Sequence, residues 1–130
     1  MGAKEKATAL HEGGFNCAQC VLSALGEYTG LEERTALAIG GGLGGGARCG
    51  ELCGALNGGI MALGAVFPYM DGNDLEARAK IAKLTGVLTR AFRDEFGCLR
   101  CVDLKRSGHP CSELICFSAK KTEEIIQNNL

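Results

Sequence analysis

The sequence has no excess of charge of either sign. Its 130 residues carry 14 lysine and arginine side chains against 15 aspartate and glutamate side chains, a formal net charge of −1. Proteins that bind nucleic acid or anionic lipid surfaces concentrate positive charge on one face. The charge balance therefore predicts neither kind of partner.

Long apolar runs and strand patterns are also missing. The longest apolar stretch, residues 52–67, contains Asn57 and four glycines, and it is shorter than the roughly 20 residues that a membrane-spanning helix needs. Apolar and polar residues alternate nowhere over a useful length, so no β-strand is predicted. Residues 1–6 are followed by no apolar stretch, so no signal peptide is predicted. We expect a cytoplasmic protein without membrane insertion.

What the chain does have is the size and composition of one globular domain. Hydrophobic residues make up 46% and charged residues 22%, a balance typical of folded rather than disordered chains. A chain of this length buries roughly two thirds of its unfolded surface and can fold without disulfides. No fixed repeat or linker divides it, so we predict a single cysteine-rich domain over residues 1–130.

Helical spacing of apolar residues predicts an all-α bundle of about five to seven helices. The clearest helix runs from Asn73 to Phe96, with Asn73 and Glu76 as a capping box and Gly97 as its stop. The other predicted helices are Gly2–Glu12, Cys17–Thr29, Glu32–Ile39, Glu51–Val66 and Ser112–Gln127. Their short connections favour antiparallel packing.

Glycine is unusually frequent, at 20 of 130 residues. The tract Ile39–Gly46 matches G-x-G-x-x-G, but a helix rather than a strand precedes it, so a dinucleotide site is not indicated. The tract is either a turn between helices or a loop that closes over a bound group. Gly50, Gly54 and Gly58 follow at helical spacing, which allows another helix or a prosthetic group to pack closely.

Eight cysteines stand in four close pairs, in a chain too large to depend on disulfides. Residues three or four apart on a helix share a face, with Cβ atoms about 5–6 Å apart, so a pair can bind one metal. Four thiolates are the usual set for zinc or an iron–sulfur cluster. In a reducing compartment we expect metal ligands or redox groups rather than structural disulfides. The pairs are Cys17 and Cys20, Cys49 and Cys53, Cys98 and Cys101, and Cys111 and Cys116.

The spacing excludes several known cysteine motifs. It fits neither a zinc ribbon nor the bacterial ferredoxin run. Val21 and Val102 follow the two C-x-x-C motifs, where covalent c-type haem requires histidine. The βαβ context of thioredoxin is missing as well. His109 is either a further ligand or an exposed loop residue.

Four segments spread over the chain form a recognisable pattern. They are Gly14-Phe-Asn-Cys-Ala-Gln, Cys53-Gly-Ala-Leu-Asn-Gly-Gly-Ile-Met-Ala-Leu-Gly, Phe96-Gly-Cys-Leu-Arg-Cys and Cys111-Ser-Glu-Leu-Ile. In these segments the chain resembles the family labelled "putative redox-active protein" of the C_GCAxxG_C_C type. The resemblance implies a small bacterial or archaeal helical protein with a redox or metal role. By motif the family cysteines are Cys17, Cys53, Cys101 and Cys111, and the additional ones are Cys20, Cys49, Cys98 and Cys116.

Three functions remain open, and each works through the cysteines. The first is an electron carrier with a cysteine-ligated iron–sulfur cluster or other metal centre, in which Asn57 tunes the potential. Its ligands would be the four family cysteines, with the four additional cysteines in second rank, and their sulfurs would have to meet at one end of the bundle.

The second function is a thiol–disulfide or sulfur-transfer enzyme, in which Cys53 or Cys17 is the nucleophile and its neighbour the resolving thiol. The third is a zinc-stabilised structural or adaptor module. The cofactor is accordingly an iron–sulfur cluster, zinc or none. The redox partner is unknown, and a homodimer remains open.

Overall fold

The computed structural model describes all 130 residues and is all-α, as predicted. It contains more helical segments than the expected five to seven, namely eight α-helices and one short irregular segment at Gly46–Gly50. The helices are α1 (Ala3–Glu12), α2 (Cys17–Ala24), α3 (Gly26–Thr29), α4 (Glu33–Gly40), α5 (Gly54–Val66), α6 (Leu75–Phe96), α7 (Cys101–Arg106) and α8 (Cys111–Asn129). None of them combines the length and apolar character needed to cross a membrane.

Helices α2 and α5 form the centre of the molecule. Helix α2 packs against α1, α4, α5 and α8, and α5 also packs against α6 and α8. The two central helices come unusually close because α5 presents glycines to α2. A Cβ atom on Gly58 would lie 2.8 Å from the carbonyl oxygen of Ala18. Close helix packing is therefore the reason for Gly54 and Gly58.

The predicted helix Glu51–Val66 begins three residues late, at Gly54. Residues 51–53 are extended instead, and Leu52 forms an isolated antiparallel bridge with Arg100. Gly50 and Cys49 consequently do not lie on α5, contrary to the prediction that placed the glycine row on one helix. The extended pairing provides partners for backbone groups of both segments, because the Cys53 N–H donates to the Leu99 carbonyl and the Cys101 N–H donates to the Glu51 carbonyl.

The predicted helix Cys17–Thr29 is divided at Leu25 into α2 and the single turn α3. Helix α3 ends at Gly30, whose φ of +75° gives a left-handed cap. Helix α7 was not predicted, because six residues are too few to show a helical period. Two short helices that lack a repeating apolar pattern thus account for much of the difference in helix number.

The long helices agree best with the sequence. Helix α6 ends at Gly97 as predicted, but its N-terminal cap is Asp74 rather than Asn73, and the Asp74 carboxylate accepts a hydrogen bond from the Ala77 N–H at 3.1 Å. Helix α8 buries the apolar face that its spacing indicated, formed by Leu114, Ile115, Ala119, Ile125 and Ile126. These helices are long enough for one face to define a period.

Candidate redox site

All four family cysteines stand where a helix begins. Cys17, Cys101 and Cys111 are the first residues of α2, α7 and α8, and Cys53 immediately precedes α5. The first turn of a helix has N–H groups without intrahelical partners, and these stabilise negative charge. At Cys53 and Cys111 these backbone N–H groups lower the pKa, although burial outweighs them.

Asn16 determines where α2 begins. Its side-chain oxygen accepts a hydrogen bond from the Gln19 N–H at 2.9 Å, while the Gln19 side chain accepts one from the Asn16 N–H at 3.0 Å. The two side chains also donate to the carbonyl groups of Gly41 at 3.2 Å and Leu37 at 2.9 Å. This reciprocal cap makes Cys17 the first helical residue and attaches the end of α4 to it.

The bridge between residues 51–53 and 99–101 positions two more cysteines. The Cys53 N–H donates to the Leu99 carbonyl at 2.9 Å, and the Cys101 N–H donates to the Glu51 carbonyl at 2.7 Å. In this bridge Cys101 is opposite Glu51, and Cys53 follows Glu51 by two residues. Because side chains alternate along extended backbone, Cys53 and Cys101 lie on the same side of the bridge. The Asn57 side chain donates to the Leu52 carbonyl at 3.1 Å, so it helps to hold the bridge.

The structure brings the four family cysteines together. Cys17 and Cys101 are both near enough to Cys53 and to Cys111 for their charges to raise the pKa of each. Four separate elements therefore contribute to one group of thiols. We call Cys17, Cys53, Cys101 and Cys111 the thiol cluster.

Glycines make room for the thiol cluster. A Cβ atom on Gly54 would collide with the Cys17 sulfur, and one on Gly46 would lie 2.8 Å from the Cys101 Cβ. The Cβ position of Gly46 also meets the backbone of Glu51, so the tract needs glycine here for close packing within the protein. A loop that closes over a bound group stays a prediction.

The backbone from Gly45 to Arg48 is left-handed over four consecutive residues, with φ values of 65°, 64°, 59° and 63°. Ala47 and Arg48 are the non-glycine residues with positive φ in the chain, a conformation that costs roughly 1–2 kcal/mol per residue. Arg48 donates from Nη2 to the Gly41 carbonyl at 2.6 Å. That hydrogen bond helps to hold the strained segment over Cys101.

Burial dominates the electrostatics of the site. It raises the pKa of Cys53 to about 12, and the charges of Cys17 and Cys101 add to the rise while the N–H groups of Leu56 and Ala55 oppose it. Burial also raises the pKa of Cys111, together with the Cys17 charge and against the opposing charge of Lys105. Both groups are therefore protonated thiols at neutral pH.

Of the additional cysteines, Cys20 is the one that joins the site. It is fully buried on α2, and burial followed by the charge of Cys17 raises its pKa to about 12. Cys49, Cys98 and Cys116 instead have their nearest polar partners at Gly46 O (3.5 Å), Phe96 O (3.9 Å) and Thr8 Oγ1 (3.4 Å).

His109 does not join the thiols either. Its ring packs edge-on against Phe96, with 5.2 Å between ring centroids.

The donor set has the chemistry of a zinc or iron–sulfur site, since it consists of four thiols. As the side chains stand, however, no three His, Cys, Asp or Glu residues could hold one metal ion. The residues fit a metal centre by type and number but not by arrangement, so no chemical step is derived through a metal. The four surface cavities have no cysteine in their linings.

Residues 15–125 match the family described as "Putative redox-active protein (C_GCAxxG_C_C)". The chain belongs to this family. The resemblance read from the sequence is thereby confirmed, and the matched range includes all eight cysteines. No curated protein and no solved structure matches the chain.

Proposed function

We propose that this redox-active family member exchanges electrons by thiol–disulfide chemistry at the thiol cluster, with Cys17 as the attacking sulfur. The observation that carries the proposal is a difference in access. Cys17 is partly exposed at the start of α2, whereas the neighbouring Cys20 and Cys53 are buried. A disulfide of a partner molecule can therefore reach Cys17 before it can reach Cys20 or Cys53.

The reactive species in such an exchange is a thiolate. Burial raises the pKa values of Cys53 and Cys20 to about 12, so both are protonated at neutral pH and are poor first nucleophiles. Cys17 is the partly exposed thiol between them.

The reaction balances as a transfer of two electrons. The Cys17 thiolate attacks one sulfur of a partner disulfide, and the other sulfur leaves as a thiolate that takes up a proton. A second cysteine of the protein then attacks the Cys17 sulfur and releases the first partner sulfur as a thiol. Two protein thiols are oxidised to one disulfide, and one partner disulfide is reduced to two thiols.

This proposal is tested by oxidation of the reduced protein with glutathione disulfide. We expect rapid loss of two thiols per chain in the unmodified protein and its absence in Cys17→Ser. Cys49→Ser is the matched control, because Cys49 is more exposed than Cys17 but lies outside the thiol cluster. Rapid loss of two thiols in Cys17→Ser would contradict the proposal.

A cysteine-ligated iron–sulfur or other metal centre that carries electrons is the second candidate. The donor set favours it, because four thiols from four separate elements are the usual complement of such a site. A bound cation would have to displace the protons that Cys53 and Cys111 retain at neutral pH. The side chains of the thiol cluster would have to turn towards one another to complete such a site.

Anaerobic purification followed by an absorption spectrum and iron, zinc and sulfide assays tests the metal centre. A visible chromophore with iron and sulfide supports this candidate. Zinc without a chromophore supports the structural module, and metal-free protein that still exchanges disulfides supports the thiol proposal.

A further inference from the structure

The geometry of α2 places a second thiol beside Cys17. Cys17 and Cys20 are the first and fourth residues of the helix, so they share one face and are one turn apart. Their Cβ atoms are about 5–6 Å apart in regular helix geometry. A disulfide needs roughly 3.5–4.5 Å between Cβ atoms, so closure requires a shift of about 1–2 Å. In the first turn the Gln19 N–H donates to Asn16 Oδ1 and the Cys20 N–H donates to the Asn16 carbonyl, so the shift falls on Cys17, whose own N–H precedes the intrahelical hydrogen bonds.

The direction of the Cys20 side chain suits this closure. Side chains on a helix point towards its N-terminus, which is the end where Cys17 lies. The Cys20 sulfur is 3.5 Å from the carbonyl oxygen of Phe15, a residue that precedes α2. Its exposed fraction is 0%, so only a sulfur of the protein itself can meet it.

Cys53 is the competing neighbour, and both polar groups of its backbone are hydrogen-bonded. Its N–H donates to Leu99 across the bridge at 2.9 Å, and its carbonyl accepts from the Asn57 N–H at 2.9 Å. A movement of Cys53 towards Cys17 would disturb both hydrogen bonds. It would also press α2 against Gly54, where the Cys17 sulfur already leaves no space for a Cβ atom.

We propose that Cys20 is the resolving thiol, so that Cys17 and Cys20 form the working dithiol of this protein. This proposal rests on the thiol–disulfide function proposed above. It assigns a catalytic role to a cysteine outside the family pattern, and it leaves Cys53 and Cys101 as neighbours that the bridge holds in place. The substrate is an exposed disulfide, since Cys17 meets its partner at the surface of the helix start.

In the resolving step, the Cys20 thiolate attacks the Cys17 sulfur of the mixed disulfide. The bond between Cys17 and the partner sulfur breaks, and that sulfur leaves with the proton that Cys20 gave up. The Cys17–Cys20 disulfide forms as the partner disulfide is fully reduced. Two electrons pass from the dithiol to the partner.

Trapping of the mixed disulfide tests this assignment. Reduced proteins carrying Cys49→Ser, to remove the exposed competing thiol, are mixed with glutathione disulfide and analysed by intact mass. We expect Cys20→Ala to accumulate one glutathionyl group on Cys17. We expect Cys53→Ala to accumulate none and to lose two hydrogens, as the unmodified protein does. Circular dichroism verifies that both variants are folded.

Peptide mapping gives a second readout without any substitution at Cys20. No lysine or arginine lies between Lys6 and Arg34, so trypsin releases Cys17 and Cys20 in one peptide. We expect that peptide to be two hydrogens lighter after oxidation and to carry no cross-link to another peptide. A cross-link from Cys17 to the peptide that contains Cys53 would overturn the assignment.

The two proposals fail in different ways. Adduct accumulation in Cys53→Ala together with normal closure in Cys20→Ala refutes the role of Cys20 but leaves thiol exchange at Cys17 intact. The absence of both an adduct and a disulfide at Cys17 in every variant refutes the thiol–disulfide function itself.

Discussion

At the scale of single residues, a buried hydroxyl group shows how tightly the core is packed around α5. Thr122 Oγ1 is completely buried and has no hydrogen-bond partner, whereas the nearby Ser118 Oγ donates to the Ala55 carbonyl at 2.6 Å. Both hydroxyl groups face Gly59, and a Cβ atom there would come within 2.5 Å of Thr122 Oγ1. The two residues form a natural comparison, because one hydroxyl is satisfied and the other is not.

We expect Thr122→Val to raise the free energy of unfolding by about 1 kcal/mol, because it replaces an unpaired buried hydroxyl with a methyl group of similar size. Ser118→Ala is the control and should lower it by about 1 kcal/mol, since it removes a hydrogen bond. Urea unfolding measures both. A loss of stability in Thr122→Val as large as that in Ser118→Ala would show that Thr122 is paired in solution.

The buried thiols make stability depend on pH in the alkaline range. Burial raises the pKa values of Cys20 and Cys53 from 9.0 to about 12, so between these values the unfolded chain has lost protons that the folded chain retains. The contribution of these two thiols to the free energy of unfolding should therefore be constant below pH 9 and fall as pH rises towards 12. Denaturant unfolding under reducing conditions measures this slope, and Cys20→Ala and Cys53→Ala should each make it shallower.

At the scale of elements, the contact between α2 and α5 decides the shape of the site. It brings the first turn of α2, and with it Cys17, against the first turn of α5, and it depends on glycines that have no side chain. A Cβ atom on Gly58 would lie 2.8 Å from the Ala18 carbonyl oxygen and 3.1 Å from the Val21 Cβ, whereas one on Gly64 of the same helix would have no such neighbour within 4 Å.

We expect Gly58→Ala to lower the free energy of unfolding by about 1–3 kcal/mol, because the added methyl group meets backbone that cannot move away. Gly64→Ala is the matched control and should raise it by about 0.5–1 kcal/mol, because alanine favours the helix and the space is open. Thermal unfolding measures both. Equal effects of the two substitutions would mean that α2 and α5 do not pack as described.

The length of an element also decided whether its helix could be predicted from the sequence. Helices α6 and α8 could be predicted because each shows several turns of apolar period. Residues 51–53 were assigned to a helix because Leu52, Cys53 and the following residues are apolar and local spacing cannot reveal a partner strand. Arg100, which pairs with Leu52 in the bridge, lies far away in the sequence, so no local pattern indicates it.

At the scale of the whole molecule, the cysteines differ in how far folding protects them. Cys49 is exposed, Cys17, Cys98, Cys111 and Cys116 are partly exposed, and Cys20, Cys53 and Cys101 are buried. A buried thiol reacts with an alkylating reagent only when the structure opens around it. Which cysteines are alkylated early and which late therefore reports on the fold of the entire chain.

We expect native reduced protein to be alkylated first at Cys49 and last at Cys20 and Cys53, as followed by peptide mapping over time. In concentrated urea the differences caused by burial should disappear, which is the control. Early modification of Cys20 in the native protein would show that the start of α2 is open, and it would contradict the packing on which the thiol site depends.

By itself the sequence determined the all-α class, the long amphipathic helices and the family, because each depends on spacing or motifs within short segments. Only the tertiary structure decided that Leu52 pairs with Arg100, that residues 45–48 turn left-handed over Cys101, and that Cys20 joins the site. These features depend on contacts between segments distant in the chain. The left-handed turn in particular runs against the local preference of Ala47 and Arg48, so only the surrounding packing stabilises it.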